Sequence, residues 1–313
     1  MSRRRKVQLL MEAILEMKKT SSIQSYQSWL DWAPLCIFTA LAISLCGCLP
    51  PWGLMWLLSI AIFAGFKWWT WRRATTSGFP TIAARSFAYL FLWPGMDARR
   101  FLVLNQRIEK PALSAWIWAF TKTIFGAGLV WGVARFAGHG LLAGWIGMVG
   151  FIFLLHFGLL AALALFWQRQ GIYAPPLMNC PIAANSLGDF WGKRWNSGFR
   201  DIVFGLFFVR LAKRFGTTSA AIITFVISGL IHELVITFPA GAGYGLPTLY
   251  FTVQGAAMLA ERSRLGARLG LARGWKGHAF ALTVVTLPIF ALFPPPFVLR
   301  VMVPFFQVIK ALP

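Results

Sequence analysis

Thirteen residues into an apolar run over 219–238, a histidine and a glutamate stand side by side in Ser228-Gly229-Leu230-Ile231-His232-Glu233-Leu234. Ionisable groups at that depth are costly in hydrocarbon, and by default they mark a cavity, a polar partner or chemistry. The spacing excludes the helix of a zinc protease, because position 236, where a second His would follow, is Ile236. Consecutive helical residues point about 100° apart, so His232 and Glu233 do not aim at one ligand. A neutral imidazole can take the proton of an attacking hydroxyl, assistance typically worth about 10²–10⁴-fold. Burial favours that neutral, basic form. Gly229 leaves room beside the imidazole for a close-packed helix or a ligand. A plainer reading stays open, in which the His bonds a neighbouring helix and a basic partner neutralises Glu233.

Upstream lies Ser186-Leu187-Gly188-Asp189-Phe190-Trp191-Gly192-Lys193-Arg194-Trp195-Asn196, followed by Phe199-Arg200-Asp201. Tryptophans with Lys and Arg suit an interfacial anchor on anionic lipid. The same cations suit a phosphorylated carrier, with the Asn196 amide left to orient a base or stabilise an oxyanion. No Cys or Ser sits at an evident nucleophile elbow, so direct transfer without a covalent enzyme intermediate is the simpler chemistry.

The elements that must position these groups are membrane helices. Of 313 residues, 58% are hydrophobic and 12% charged, too apolar for one soluble core and too apolar for disorder. A span needs about 20 apolar residues. Candidates cover 32–49, 53–71, 113–134, 141–166, 219–238, 246–261, 278–293 and, more weakly, 297–311. Two shorter runs, 81–94 and 202–209, suit re-entrant or in-plane helices. With the eight spanning and the N-terminus cytoplasmic, 25 of the 30 Lys and Arg fall on the cytoplasmic side, so topology absorbs most of the formal +21 charge and nucleic acid is not required. Lys67 and Lys122 lie inside helix ends. The expected architecture is all-α and polytopic, with about eight transmembrane helices and one or two re-entrant or in-plane helices around a central chamber. Residues 1–31 form a cytoplasmic amphipathic lead-in, and 32–313 form a single membrane-embedded domain. The segment 167–218 is one long basic cytoplasmic connection, where function tends to reside. His156 reads as a satisfied core residue, and His139 and His278 as interfacial. Four scattered Cys and four His offer no zinc spacing, so no metal is expected.

Together, Asp189-Phe190-Trp191-Gly192-Lys193-Arg194-Trp195-Asn196, Phe199-Arg200-Asp201 and Ser228-Gly229-Leu230-Ile231-His232-Glu233-Leu234 resemble the membrane-bound O-acyltransferase family, nearest its wax synthase-like branch. Leu92-Trp93-Pro94-Gly95-Met96-Asp97 resembles a segment of bacterial members, and the likeness covers roughly 85–260. Lys193 stands where the branch has Arg, which keeps the charge. The resemblance implies transfer of a fatty acyl group from acyl-CoA, a co-substrate and not a cofactor, to the hydroxyl of a lipophilic alcohol. Asn196 and His232 would be the active pair. Asp189, Trp191, Lys193, Arg194, Trp195, Arg200 and Glu233 would serve substrate binding or shape the site. Further basic residues of the segment, Arg210, Lys213 and Arg214, are placed to meet the carrier's phosphates. The location would be a bacterial inner membrane, or the endoplasmic reticulum membrane in a eukaryote, with membrane lipids as neighbours. Two alternatives remain: a transporter or lipid-binding protein using His232 and Glu233 as a relay, and the same fold with a sterol, glycerolipid, sugar or protein acceptor.

Overall fold

A computed structural model describes residues 29–78, 81–104, 106–138 and 140–313. The amphipathic lead-in lies outside them except for residues 29–31, as does His139. The described residues contain helices and no strand. In chain order they are α1 (Trp29–Ser44), α2 (Pro51–Thr76), α3 (Ala83–Leu92), α4 (Ala98–Leu102), α5 (Leu113–Phe136), α6 (Leu141–Arg169), α7 (187–194), α8 (197–215), α9 (217–240), α10 (Leu246–Arg262), α11 (Arg264–Leu269), α12 (Gly274–Leu292) and α13 (Pro295–Val308).

Five helical runs among the described residues are long and apolar enough to cross a membrane: α2, α5, α6, the run Ser197–Ala240 and α12. That is fewer than the eight expected, for reasons of length and polarity. The 16 residues of α1 rise only about 24 Å, short of the ~30 Å hydrocarbon layer. The 17 residues of α10 include Gln254, Glu261 and Arg262, and α13 is shorter still. Outward faces stay apolar: Trp118, Ile124, Phe136 and Leu287 are exposed, as lipid-facing positions should be.

The 44-residue run is two helices folded back on each other. At Gly216 the backbone takes φ 78° and ψ 164°, a region open to glycine and strained for other residues. Phe199 and His232 stand almost symmetrically about that point, and their ring centroids are 5.8 Å apart. On one straight helix, 33 residues would separate them by about 50 Å. Ile202 and Leu206 of α8 share a buried cluster with Ile231, Leu234 and Val235 of α9. The run 202–209 is therefore part of a 19-residue arm leaning on the next helix. The segment 167–218 is also not one surface layer, because the loop before Asn196 and the basic turn at Arg210, Lys213 and Arg214 occupy opposite ends of α8.

Glycines set the closest helix contacts. A Cβ at Gly126 would fall 2.3 Å from the Leu154 backbone, and one at Gly150 would fall 2.7 Å from Leu129, so α5 and α6 pack nearly backbone to backbone. The largest buried cluster gathers Met55 of α2, Val130 of α5, Met148 of α6, Tyr250 of α10 and Phe297 and Phe306 of α13. α13 is thus a central packing element despite its length.

Candidate active site

The loop before Asn196 is tied down from three sides. Its two limbs pair through Asn179 N–H to the Arg194 carbonyl (2.8 Å) and Ser197 N–H to the Leu177 carbonyl (2.9 Å). Glu261 of α10 accepts from the first amides of α7, Leu187 N–H (2.5 Å) and Gly188 N–H (3.4 Å), as an acid at a helix N-terminus should. On α12, His278 Nδ1 donates to the Ala184 carbonyl (3.0 Å), which sets this His against the loop.

The candidate binding residues divide by what they already hold. Asp189 accepts from Arg194 Nε (2.6 Å) and from Asn185 N–H (3.3 Å). Partial burial pushes its carboxyl up, but the Arg194 and Asn185 hydrogen bonds with the Arg194 and Lys193 charges outweigh this and hold it below the usual carboxylate range. Arg194 also donates to the Cys180 carbonyl (3.2 Å). Arg200 bonds Asp201 and the Gly192 carbonyl (2.8 Å). These two arginines brace the loop, whereas Lys193 is exposed and makes no ion pair among the described residues. Trp195 stacks on Phe190 at 5.6 Å. Trp191 donates to buried Gln254 (3.2 Å), which in turn holds the Val284 carbonyl (2.8 Å).

Asn196 has φ 41°, a left-handed conformation that Asn tolerates better than most residues. Its Oδ1 accepts from Phe199 N–H (3.1 Å) and caps α8. Its Nδ2 makes no hydrogen bond among the described residues, so the donor half of the amide is free. The Phe199 ring meets the His232 imidazole edge-on at 5.8 Å, with Phe251 4.4 Å away on another side. His232 Nδ1 lies 2.7 Å from the Ser228 carbonyl. A carbonyl only accepts, so Nδ1 carries the hydrogen and Nε2 of the neutral ring keeps its lone pair. Amide and imidazole, 36 residues apart in sequence, are therefore bridged by one phenylalanine.

Glu233 turns away from that centre. Its Oε1 accepts from Thr248 N–H (3.1 Å) and Thr248 Oγ1 (3.0 Å), and its Oε2 accepts from Thr237. Its partner is the N-terminus of α10 and two hydroxyls, not a basic side chain, and no hydrogen bond joins it to His232. The room at Gly229 is filled by the same helix, since a Cβ there would fall 2.6 Å from Thr248 Cα. Glu233→Ala would strand the Thr248 amide at a cost of about 1–3 kcal/mol. The apparent Tm in detergent should fall, and Glu233→Gln, which keeps an acceptor, should lose less; equal losses would deny the capping role.

A small pocket adjoins Asn196. Trp93, Met96 and Asp97 face Tyr173, Gly198 and Asp201 across it, which unites the Trp93–Asp97 segment with the start of α8. Arg100 donates to Tyr173 Oη (2.8 Å) at its side. Nearby, the Arg73 guanidinium lies over the Trp69 ring, 4.8 Å from its centroid. Lys67, read from sequence as a helix-end residue, is instead fully buried in α2, with Nζ 2.5 Å from the Gly95 carbonyl. Its lone charge among Phe66, Trp68 and Trp69 was the signal for it. His156 also departs from expectation: its Nδ1 is buried without a partner among the described residues. The polar neighbour at that level, Thr123, donates its hydroxyl to Ala119 within α5. No three His, Cys, Asp or Glu side chains among the described residues converge as metal ligands would.

Residues 174–253, which contain the loop, Asn196 and His232, match the model of the membrane bound O-acyl transferase family. The match is narrower than the expected 85–260 and leaves out the Trp93–Asp97 segment. Acyl-CoA–sterol O-acyltransferase 1 of Arabidopsis thaliana is 39% identical over 71 residues, 20% of this chain and 20% of that protein. A long-chain-alcohol O-fatty-acyltransferase of Simmondsia chinensis is 32% identical over 126 residues, 36% of this chain and 35% of that one. The chain thus matches about a fifth and about a third of the length of these relatives. The resemblance to the membrane-bound O-acyltransferase family, wax synthase-like branch, holds for the segment that carries the site, and with the apolar helices it makes this a membrane protein.

Proposed function

We propose that the protein is a membrane O-acyltransferase that passes a fatty acyl group from acyl-CoA to the hydroxyl of a lipophilic alcohol. His232 Nε2 takes the alcohol proton as the oxygen attacks the thioester carbonyl. The Asn196 Nδ2 amide steadies the developing oxyanion or the attacking hydroxyl, and the C–S bond breaks as the proton passes from His232 to the departing sulfur, so that coenzyme A leaves as the thiol. The observation that carries this reading is the tautomer: Nδ1 is committed to the Ser228 carbonyl, so the other nitrogen is a base.

Charge and length support the donor. Arg210 and Arg99 both stand within electrostatic range of Arg73, as does Asp31, a mainly basic region suited to phosphates on the end of the bundle that we assign to the cytosol. Arg210 folds back to the Leu206 carbonyl (2.9 Å), ten residues and about 15 Å along α8 from Asn196. The thirteen bonds from pyrophosphate to sulfur in coenzyme A, at about 3.3–3.6 Å for every three, also reach about 15 Å. A phosphate at Arg210 would leave the thioester beside Asn196.

Purified protein given acyl-CoA should release free thiol only when a long-chain alcohol is added, with the ester detected by mass spectrometry. A panel including a sterol tests the other relative's printed acceptor. No thiol release with any acceptor, together with proton flux in proteoliposomes, would overturn the reading in favour of a relay.

A further inference from the structure

Among the described residues, Lys67 is a buried cation, 2% exposed, for which no carboxylate lies within ion-pairing distance. Its ammonium has one carbonyl, Gly95 O at 2.5 Å, and one aromatic face, Tyr89, 3.2 Å from the ring centroid. Removing a full charge from water for so few partners is expensive. A methionine would fill the same space at lower cost, so the charge needs a reason in what it holds.

It holds the turn between α3 and α4. That turn contains Pro94, which has no amide hydrogen, and it folds so tightly that a Cβ at Gly95 would fall 2.4 Å from the Trp93 indole. Its residues form one wall of the pocket described above, and Ser197, Gly198 and Asp201 form the other. The walls touch: the Cβ position of Gly198 is 3.5 Å from the Pro94 carbonyl. A shift of the turn would therefore be felt in the first turn of α8, which the Asn196 side chain caps.

The pocket's chemistry fits the polar arm of a thioester carrier better than a lipophilic alcohol. Arg100 already holds the Tyr173 hydroxyl and Asp97, and Arg200 holds Asp201 Oδ1, which leaves Asp201 Oδ2 as an acceptor for amide and hydroxyl hydrogens, with Arg99 exposed next to Asp97 for phosphate. We infer that Lys67 is a positioning residue for the acyl donor: by holding the Gly95 carbonyl from within α2, it sets the wall along which the carrier's amide-bearing arm reaches Asn196. This rests on the acyltransferase reading for the identity of the donor.

The test compares wild type, Lys67→Met and Lys67→Arg in detergent, with steady-state kinetics and with direct binding of a non-reactive thioether analogue of acyl-CoA. Lys67→Met should raise KM for acyl-CoA and Kd for the analogue by about tenfold or more, with kcat and the alcohol KM changed by less than about threefold. Lys67→Arg, which keeps charge and donor, should recover part of the loss. Should Lys67→Met fail to fold, Gly95→Ala, which presses the same turn against Trp93, should give the same split. Unchanged analogue binding in a folded variant, or a fall in kcat alone, overturns the proposal. Wild type that binds the analogue in a Lys67-dependent way yet turns over no acceptor would refute the transferase reading while the positioning role stands. Wild type that binds no analogue refutes both.

Discussion

His232→Ala is expected to lower alcohol-dependent thiol release by about 10²–10⁴-fold, the usual worth of a general base. The protein should still insert and bind acyl-CoA. Alanine removes two things at once, the base and the hydrogen bond to the Ser228 carbonyl, so it cannot stand alone. His232→Asn separates them. An asparagine amide can occupy the Nδ1 position and donate to the same carbonyl, but it has no basic nitrogen at neutral pH. The two variants should therefore be about equally inactive, with Asn closer to wild type in thermal stability. Activity within about threefold of wild type in His232→Asn would remove the imidazole from the chemistry. Activity lost only in proportion to stability would make it a packing residue held between Phe199 and Phe251.

Helix existence was legible because long apolar runs have one reading in a membrane: 113–134 and 141–166 became α5 and α6 almost to the residue. What two glycines of one run would do was not legible. Gly216 reverses the chain, whereas Gly229 admits Thr248 of another helix, and a missing Cβ looks the same in either use. The reversal brings the Phe199 ring, three residues beyond Asn196, to 5.8 Å from His232, an approach that the sequence offered only through family likeness. Glu233 misled in a different way. A buried acid suggests a cation, and charge patterns can be searched in a sequence, but its partner is the amide at the start of α10, which every helix possesses. Arg194 and Arg200 read as ligands for phosphate because a positive charge carries no mark of being already paired. Their acids, Asp189 and Asp201, stand five residues and one residue away, spacings that no helical rule couples.

Asn196 poses the sharper test, because its two amide atoms have separable duties. Oδ1 caps α8 through Phe199 N–H, and Nδ2 is free to face a substrate. Asn196→Asp keeps an acceptor for the cap and a residue tolerant of φ near 41°, but it exchanges the N–H donor for a negative charge. If the donor serves the reaction, kcat should drop by about 10²–10³, the cost of losing one oxyanion donor. The apparent Tm should then stay near that of wild type. Asn196→Ala should lose similar activity and also destabilise, by about 1 kcal/mol for the missing cap and more for the strained backbone. Asn196→Gly relieves the strain and restores neither atom, so its stability should recover while its activity does not. An active Asn196→Asp enzyme beside an inactive, unstable Asn196→Ala would reduce this residue to a cap, and His232 would then act without an amide partner. Activity that instead tracks Nδ2 through all three substitutions, whatever the Tm, would tie the amide to the reacting atoms.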